Sequence, residues 1–319
     1  MAQTDELRLI ARVARMYYEW DMRQSTIAEQ LGLSQATVSR LLARAQAVGV
    51  VRITVNIPRG VYSELEENLI QKYGLRDAII VDSMDYDDEK NVGREIGAAG
   101  AYYLENIIRH NEVIGISSWS ASLLSLVDAM HSVPRKPGVQ VVQILGGVGN
   151  PSAQAHASHL TTRLADLVNG MAVFLPAPGV VGSAASLEAF YADGFVRSVV
   201  SLFEHVTTAL VGIGAVEPSH LLAASGNIFT EKELELLHKH GAVGDILLRF
   251  YDANGKPIEG LLNSRVISMS LEQLRGVHRA IAVAGGRRKY YAILGALKGK
   301  LINILVTDHY TATRLIQEA

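Results

Sequence analysis

The stretch QSTIAEQLGLSQATVSRLLA, residues 24–43, leaves this chain less freedom than any other segment. Two short helices joined by a tight turn need apolar side chains on their facing sides, a small residue where the backbones come closest, and a residue that turns the chain. Ile27, Leu31, Leu33, Val38 and Leu41 fall on the facing sides, Ala28 at the close approach and Gly32 at the turn. All seven constrained positions are satisfied, which points to a helix-turn-helix unit. The pattern predicts a helix over 25–31 ended by Gly32, then a helix capped by Ser34 that runs to about residue 47. Ahead of them, DELRLIARVARMYYEW places Leu9, Val13, Met16, Tyr17 and Trp20 on one face of an amphipathic helix, with Arg8, Arg12 and Arg15 largely elsewhere. Behind them, Val51, Ile53 and Val55 alternate with Arg52 and Thr54. That predicts a strand over 50–56 packed alongside as a wing, with Arg52 and Arg59 near a nucleic-acid backbone.

With Val38, Leu41 and Leu42 turned inward, the second helix of the pair presents Gln35, Ala36, Thr37, Ser39, Arg40 and Arg44 outward, while Gln24 and Ser34 stand at the two helix starts. A helix fits the DNA major groove and its first residues reach base edges. Hydroxyl, amide and backbone N–H groups near a helix start hold phosphates. These residues are the candidate DNA contacts. A helical hairpin with solvated arginines, or a protein-binding surface, would use the same face; the matched positions favour DNA.

Charge agrees with that choice. The net charge of -2 hides an asymmetry: residues 1–60 carry eight Arg, no Lys and five acidic residues, about +3, which leaves about -5 for the remainder. Guanidinium forks bind phosphates and guanine edges in two-pronged fashion, so an all-arginine basic end fits a nucleic-acid module on a neutral to acidic body. The 319 residues exceed one ordinary core, and a hydrophobic content of 49% excludes a disordered protein. Two domains are expected, a DNA-binding domain over 1–60 and a larger one over 61–319, with a single large α/β domain as the alternative. Cysteine is absent, which removes disulfides, thiolate nucleophiles and Cys-based zinc sites. Charged residues or His interrupt every apolar run, and MAQTDELRLI is acidic and amphipathic, so the expectation is a cytoplasmic chain with no membrane partner.

From Val61 onward, buried apolar strands alternate with helices, the pattern of an α/β domain built on a mainly parallel sheet covered on both faces. Strands are predicted over 78–81, 113–117, 139–145, 173–175, 209–213, 246–250, 280–284 and 302–306. Helices are predicted over 61–73, 88–109, 121–131, 153–168, 186–206, 231–240, 287–297 and 308–318. RFYDANGKPI reads as a hairpin turning at Asn254-Gly255.

Open α/β sheets bind ligands at the carboxyl ends of their strands. Here those ends are loops of Ser, Gly and Asn: Ser117, Ser118, Ser120 and Ser122 in one, Gly146, Gly147, Gly149 and Asn150 in the next, then PAPG, GIG and GGRRK. Several open directly into helices, whose N-termini offer N–H groups to a phosphate or a row of hydroxyls. A polyol, sugar or sugar phosphate suits them. GGVGNPS and GIGAVE lack the third glycine of the dinucleotide fingerprint and no GxxxxGK[ST] exists, so no nucleotide cofactor is expected. His156 and His159 lie three apart on a predicted helix without a third ligand, so no metal site is assigned. The acidic run Asp85 to Glu89 reads as a solvated loop and the start of a helix, where negative charge is favourable, and takes no chemistry.

IGISSWSASL at 114–123, VVQILGG at 141–147, LPAPGVV at 175–181, LVGIGAVEPS at 210–219, GDILLRFYDANGKPI at 244–258 and VAGGRRKYYAILGALKGKLINILVTD at 283–308 resemble the SorC/DeoR-type bacterial transcriptional regulators. The resemblance implies a helix-turn-helix domain fused to a sugar-binding domain similar in fold to sugar-phosphate isomerases. It also implies homodimers or homotetramers that bind operator DNA and respond to a sugar or phosphorylated sugar. Ser120 and Ser122 then resemble the effector's phosphate or hydroxyl loop, Gly146, Gly147 and Gly149 its second wall, and Asp245 and Lys289 a charged pair that orients the ligand. Two departures stand out. The first loop has SAS where many relatives read G[ST]T, which weakens the case for a phosphate. Leu145 stands where deoxyribose-phosphate-responsive relatives carry Lys, which removes a Schiff-base contact. The flavour is that of polyol-catabolism repressors such as those for erythritol. The implied role is regulation without catalysis; the alternative is a sugar-phosphate isomerase-like enzyme using Asp245 or Lys289 as base.

Overall fold

The computed structural model describes residues 2–51, 60–83, 85–134, 136–227, 229–260 and 262–318, with the side chains of 2–5 and 152–156 outside that description. The chain divides into two compact units, Met1–Pro58 and Arg59–Ala319. Among the described residues, no helix is long and apolar enough to cross a membrane.

The front unit holds α1 (Ala2–Tyr18), α2 (Gln24–Leu31) and α3 (Gln35–Ala47). Gly32 closes α2 in the left-handed region at φ 63°, where a side chain would be strained. Ser34 caps α3 by accepting the Thr37 N–H at 3.1 Å. Val13, Met16, Ile27, Ala28, Val38 and Leu42 form the core between the helices, with Leu31, Leu33 and Leu41 half-buried around it. The opening helix differs from expectation at its ends. Ile10 and Ala14 are buried against Ala45, whereas α1 stops at Tyr18 and Trp20 is 56% exposed beneath the Arg15 guanidinium. Of the strand expected over 50–56, residues 52–59, including Arg52 and Arg59, lie outside the described residues. Val51 donates its N–H to the Ala45 carbonyl at 3.0 Å.

The rear unit runs α4 (Ser63–Tyr73), β1 (Asp77–Val81), α5 (Glu89–Ile107), β2 (Val113–Ile116), α6 (Ala121–Ala129), β3 (Gln140–Gln143), α7 (Pro151–Leu167), β4 (Met171–Val173), α8 (Ala184–Ala192), α9 (Gly194–Val200) and β5 (Thr208–Val211). It continues with α10 (His220–Ser225), α11 (Glu231–Lys239), β6 (Ala242–Ile246), β7 (Arg249–Asp252), α12 (Leu271–Gly276), β8 (Arg279–Val283), α13 (Tyr290–Lys298), β9 (Ile304–Asp308) and α14 (His309–Gln317). A parallel sheet has the order β1, β9, β8, β5, β2, β3, β4, with β6 and β7 as a separate antiparallel pair. Strand side chains alternate between two apolar layers, as a two-residue period requires. Ile80, Val142, Ala209, Val211, Ala282 and Leu305 enter one layer, and Ile114, Ile116, Val141, Leu210, Ile281 and Val306 the other.

Three departures have local causes. The strand expected over 246–250 is two strands joined by Leu247 and Leu248, both in the left-handed region at φ 57° and 61°. A two-residue hairpin of this kind normally uses Asn-Gly, so the apolar run ILLRF conceals it. The helix expected over 186–206 breaks at Asp193, whose carboxylate accepts the Phe195 and Val196 N–H groups and restarts the chain as α9. Short α10 and α12 lie outside the predicted helices, and Ser219 and Ser270 cap them. The turn at Asn254-Gly255 forms, with Gly255 at φ 70° and the Ile258 N–H donated to the Phe250 carbonyl.

α5 and α6 meet where α5 lacks side chains. A Cβ on Gly97 would come 2.7 Å from the Ser125 Cβ and 2.9 Å from the Leu126 nitrogen, so only glycine permits the approach that seats both helix starts at the carboxyl end of the sheet. Gly97→Val should therefore lower stability by about 1–3 kcal/mol through overpacking, read as a shift in the urea midpoint. Gly93, with nothing within 4 Å of an added Cβ, should gain up to about 1 kcal/mol on change to Ala.

Candidate functional site

The strand order fixes where a ligand can enter. From β2 the chain moves outward to β3 and β4, then returns to place β5 on the other side of β2 before proceeding to β8 and β9. The connections after β2 and β5 leave in opposite directions, and a crevice opens at their carboxyl ends. A cavity of about 430 Å³ lies there, within the usual range for a small-molecule site. Its walls are the β2–α6 loop (Ser117, Trp119, Ser120) with the start of α6 (Ser122), the chain after β5 (Gly212 to Leu222), the β6–β7 hairpin (Asp245, Leu247, Leu248), the turn after β8 (Gly285, Arg288, Lys289) and the start of α5 (Glu89, Lys90).

Glycines clear room for the polar groups. A Cβ on Gly212 would come 2.5 Å from the Ser120 Oγ, and one on Gly214 would come 2.1 Å from the Asp245 Oδ1. Ser120 caps α6, accepting the Leu123 N–H. Ser122 is largely buried and lines the cavity. Asp308, at the end of β9, accepts the Gly286 N–H at 2.7 Å and both the N–H and hydroxyl of Thr311, which fastens the Gly285-Gly286 turn bearing Arg288 and Lys289.

Asp245 exchanges backbone hydrogen bonds with Gly214, and its Oδ2 accepts the Leu248 N–H at 2.9 Å. Burial lifts its pKa to about 6, opposed by that N–H and by the Lys289 charge. Burial likewise lowers the pKa of Lys289, against the pull of Glu89 and Asp245, while Arg288 adds to the lowering. Asp245 and Lys289 make no direct ion pair among the described residues, so each has capacity for a ligand. Trp119 donates its indole N–H to the Gly146 carbonyl at 2.9 Å and presents ring carbon to the cavity. Arg288 grips Glu89 with two contacts, 2.6 and 3.2 Å.

Of the effector residues expected from the sequence, Ser117, Ser120, Ser122, Asp245 and Lys289 meet at this cavity. Ser118 does not; it is fully buried and donates to the Leu145 carbonyl at 2.6 Å. Gly146, Gly147, Gly149 and Asn150 also stand away from the cavity, for packing reasons. An added Cβ would come 2.2 Å from the Pro178 carbonyl oxygen at Gly146, 2.7 Å from the Gln143 side chain at Gly147 and 2.6 Å from the Ser225 carbonyl oxygen at Gly149. Asn150 donates its N–H to that same Ser225 carbonyl at 2.8 Å. Only Leu145 of that region reaches the cavity, with hydrocarbon. Sequence reasoning missed Trp119, Lys90, Glu217, His220 and Arg288, and assigned no chemistry to Glu89. Arg288 sits inside the quoted GGRRK, a signal that could have found it. Asp88 does cap α5, as an acidic helix start should. His159 lies 3.6 Å from Asp128, the His156 side chain is outside the described residues, and no cluster with metal-ligand capacity occurs among those described.

In the front unit, Ser34, Gln35, Ala36, Ser39, Arg40 and Arg44 are exposed, and Gln24 and Thr37 half-buried. Thr37 joins the cap, its hydroxyl 2.8 Å from that of Ser34 and 3.3 Å from the Arg40 Nη2. Arg40 is thereby held along the outward face of α3. Arg44 instead leans back to Glu6 at 3.3 Å.

The family model for a sugar-binding domain matches residues 60–317. The chain is 34% identical to the deoxyribonucleoside regulator of Bacillus subtilis (strain 168), over 98% of this chain and 99% of that protein. It is 32% identical to the erythritol catabolism regulatory protein EryD of Brucella abortus (strain 2308), over 99% of this chain and 98% of that protein. The crystal structure of the full-length sorbitol operon regulator SorC from Klebsiella pneumoniae superposes with a TM-score of 0.72 at 30% identity, covering 98% of this chain and all of that one.

Because the Asp245 pKa is raised from 3.8 to about 6, its protonated form favours the fold. That contribution is fully present below about pH 4 and is lost as pH rises through about 6. Asp245→Asn should remove this dependence. The stability difference between variant and parent should change by up to about 3 kcal/mol across that window, measured by urea unfolding at a series of pH values.

Proposed function

Since the chain belongs to the sugar-binding-domain family of SorC/DeoR-type transcriptional regulators, we propose that its front unit grips operator DNA and that the cavity at the β2/β5 crevice takes a sugar, polyol or sugar-phosphate effector. The chain is a transcriptional regulator rather than an enzyme: its relatives, matched over nearly their full lengths, are regulators. The observation that carries the effector reading is the meeting of Ser117, Ser120, Ser122, Asp245 and Lys289 at one cavity where the strand order reverses. Hydroxyls, a carboxylate and an ammonium around a tryptophan wall suit a ligand with several hydroxyl groups and a carbon skeleton. We read the rear unit as an isomerase-like scaffold used for binding, with Asp245 and Lys289 orienting the ligand.

For DNA, α2, its turn and α3 support a helix-turn-helix reading. The exposed set Gln35, Ala36, Ser39 and Arg40 is offered to base edges, with Ser34, Thr37 and Gln24 near phosphates. Arg44 would leave Glu6 to take a phosphate. A symmetric homodimer or homotetramer on a palindromic operator fits one such reading helix per chain. Effector and operator influence each other only if the effector prefers one subunit arrangement, and a coupling of roughly 1–3 kcal/mol is usual for such devices.

Titrating the promoter fragment with wild-type and Arg40→Ala protein tests the DNA reading. A loss of roughly 1–3 kcal/mol confined to the operator is expected if Arg40 reads a base. An equal loss on random duplex would reassign Arg40 to phosphate contact, and failure of the wild type to retard the promoter at low salt would overturn the regulator reading.

A further inference from the structure

We propose that the cavity takes an uncharged sugar or polyol and discriminates against its phosphate ester, and that Glu89, by holding Arg288, sets that choice. This rests on the reading of the cavity as the effector site and names the class of ligand it accepts. A phosphate monoester carries roughly -1.5 to -2 charge near neutral pH and needs unpaired cationic donors. Among the described lining residues, Glu89, Glu217 and Asp245 balance Lys90, Arg288 and Lys289, so the walls offer no surplus positive charge.

The arrangement of these charges matters more than their sum. Arg288 has the planar fork that best matches a phosphate. It is already engaged: Nε lies 2.6 Å from the Glu89 Oε1 and Nη2 lies 3.2 Å from Oε2, the two-pronged contact a phosphate would otherwise take. Lys289 shares the cavity with the Asp245 carboxylate, which would face the incoming dianion. The groups left over suit hydroxyls. Ser122 lines the cavity with its hydroxyl-bearing side chain, and Asp245 accepts one described side-chain hydrogen bond, from the Leu248 N–H. The Trp119 indole N–H is committed to the Gly146 carbonyl, so its ring offers only an apolar surface. A neutral carbon chain bearing several hydroxyls satisfies each of these at no electrostatic cost.

Calorimetry on the full-length protein with matched pairs tests this: erythritol and erythritol 4-phosphate, D-sorbitol and D-sorbitol 6-phosphate, 2-deoxy-D-ribose and its 5-phosphate. At least one neutral member should bind, with an affinity that changes less than about twofold between about 0.05 and 0.3 M salt, and its ester at least about tenfold more weakly. Glu89→Gln should free Arg288 and shift the ester-to-parent ratio at least about tenfold towards the ester, with inorganic phosphate now competing. A urea-unfolding midpoint within the range of the wild type would report an intact fold of this variant. An ester that outbinds its parent in the wild type, or an unchanged ratio in Glu89→Gln, overturns the inference and leaves the effector site standing. Silence from every pair, with promoter binding intact, overturns the effector site and the inference together.

Discussion

The reversal of strand order between β2 and β5 is the constraint on which the rest of the rear unit depends. A parallel sheet buried on both faces has no accessible surface along its strands, so its chemistry is confined to its ends. Where neighbouring strands send their connections to opposite sides, the backbone cannot close over the edge, and a crevice is left without any side chain having to create it. The side chains then decide what the crevice holds. Ser117 to Ser122 follow β2, Gly212 and Gly214 follow β5, and both glycines are bare because Ser120 and Asp245 occupy the space a Cβ would need.

The charged part of the site is maintained by two costly features. Leu247 and Leu248 turn with positive φ, which non-glycine residues adopt only when the surroundings hold them there, and such strain gathers at ligand sites. Both leucines are buried, so apolar packing offsets the backbone cost, and the turn delivers the Leu248 N–H to the Asp245 carboxylate. Asp308 performs a related task in the neighbouring turn, where a fully buried carboxylate is satisfied by Gly286 and Thr311. Neither carboxylate needs a catalytic role to explain its burial. Each organises a loop, and in Asp245 one oxygen remains for a ligand.

Sequence patterning made some of this legible and left the rest hidden, for physical reasons. Spacing alone located α2, the turn at Gly32, the Ser34 cap and the inward set of α3, because each is a local requirement on neighbouring residues. Apolar runs located most of the parallel strands and their carboxyl-end loops for the same reason. It could not tell which loops share a cavity, because that depends on strand order, a property of contacts between distant segments. Hence the glycines of GGVGNPS looked like a ligand wall, whereas they permit close approach to Pro178, Gln143 and Ser225. Glu89 looked like a mere helix start, whereas it lines the cavity and holds Arg288. Resemblance supplied Asp245 and Lys289, which lie far apart in the chain and which no local pattern would join.

The rear unit acts as a sensor only if ligand binds where the strand order reverses. Amide hydrogen exchange on the full-length protein, with and without a bound polyol or sugar, measures this most directly. Protection should rise in the segments 117–123, 212–222, 245–248 and 285–289, which line the crevice from separate parts of the chain. Protection confined to the loop at 146–150, or to a face of the sheet remote from those segments, would contradict it.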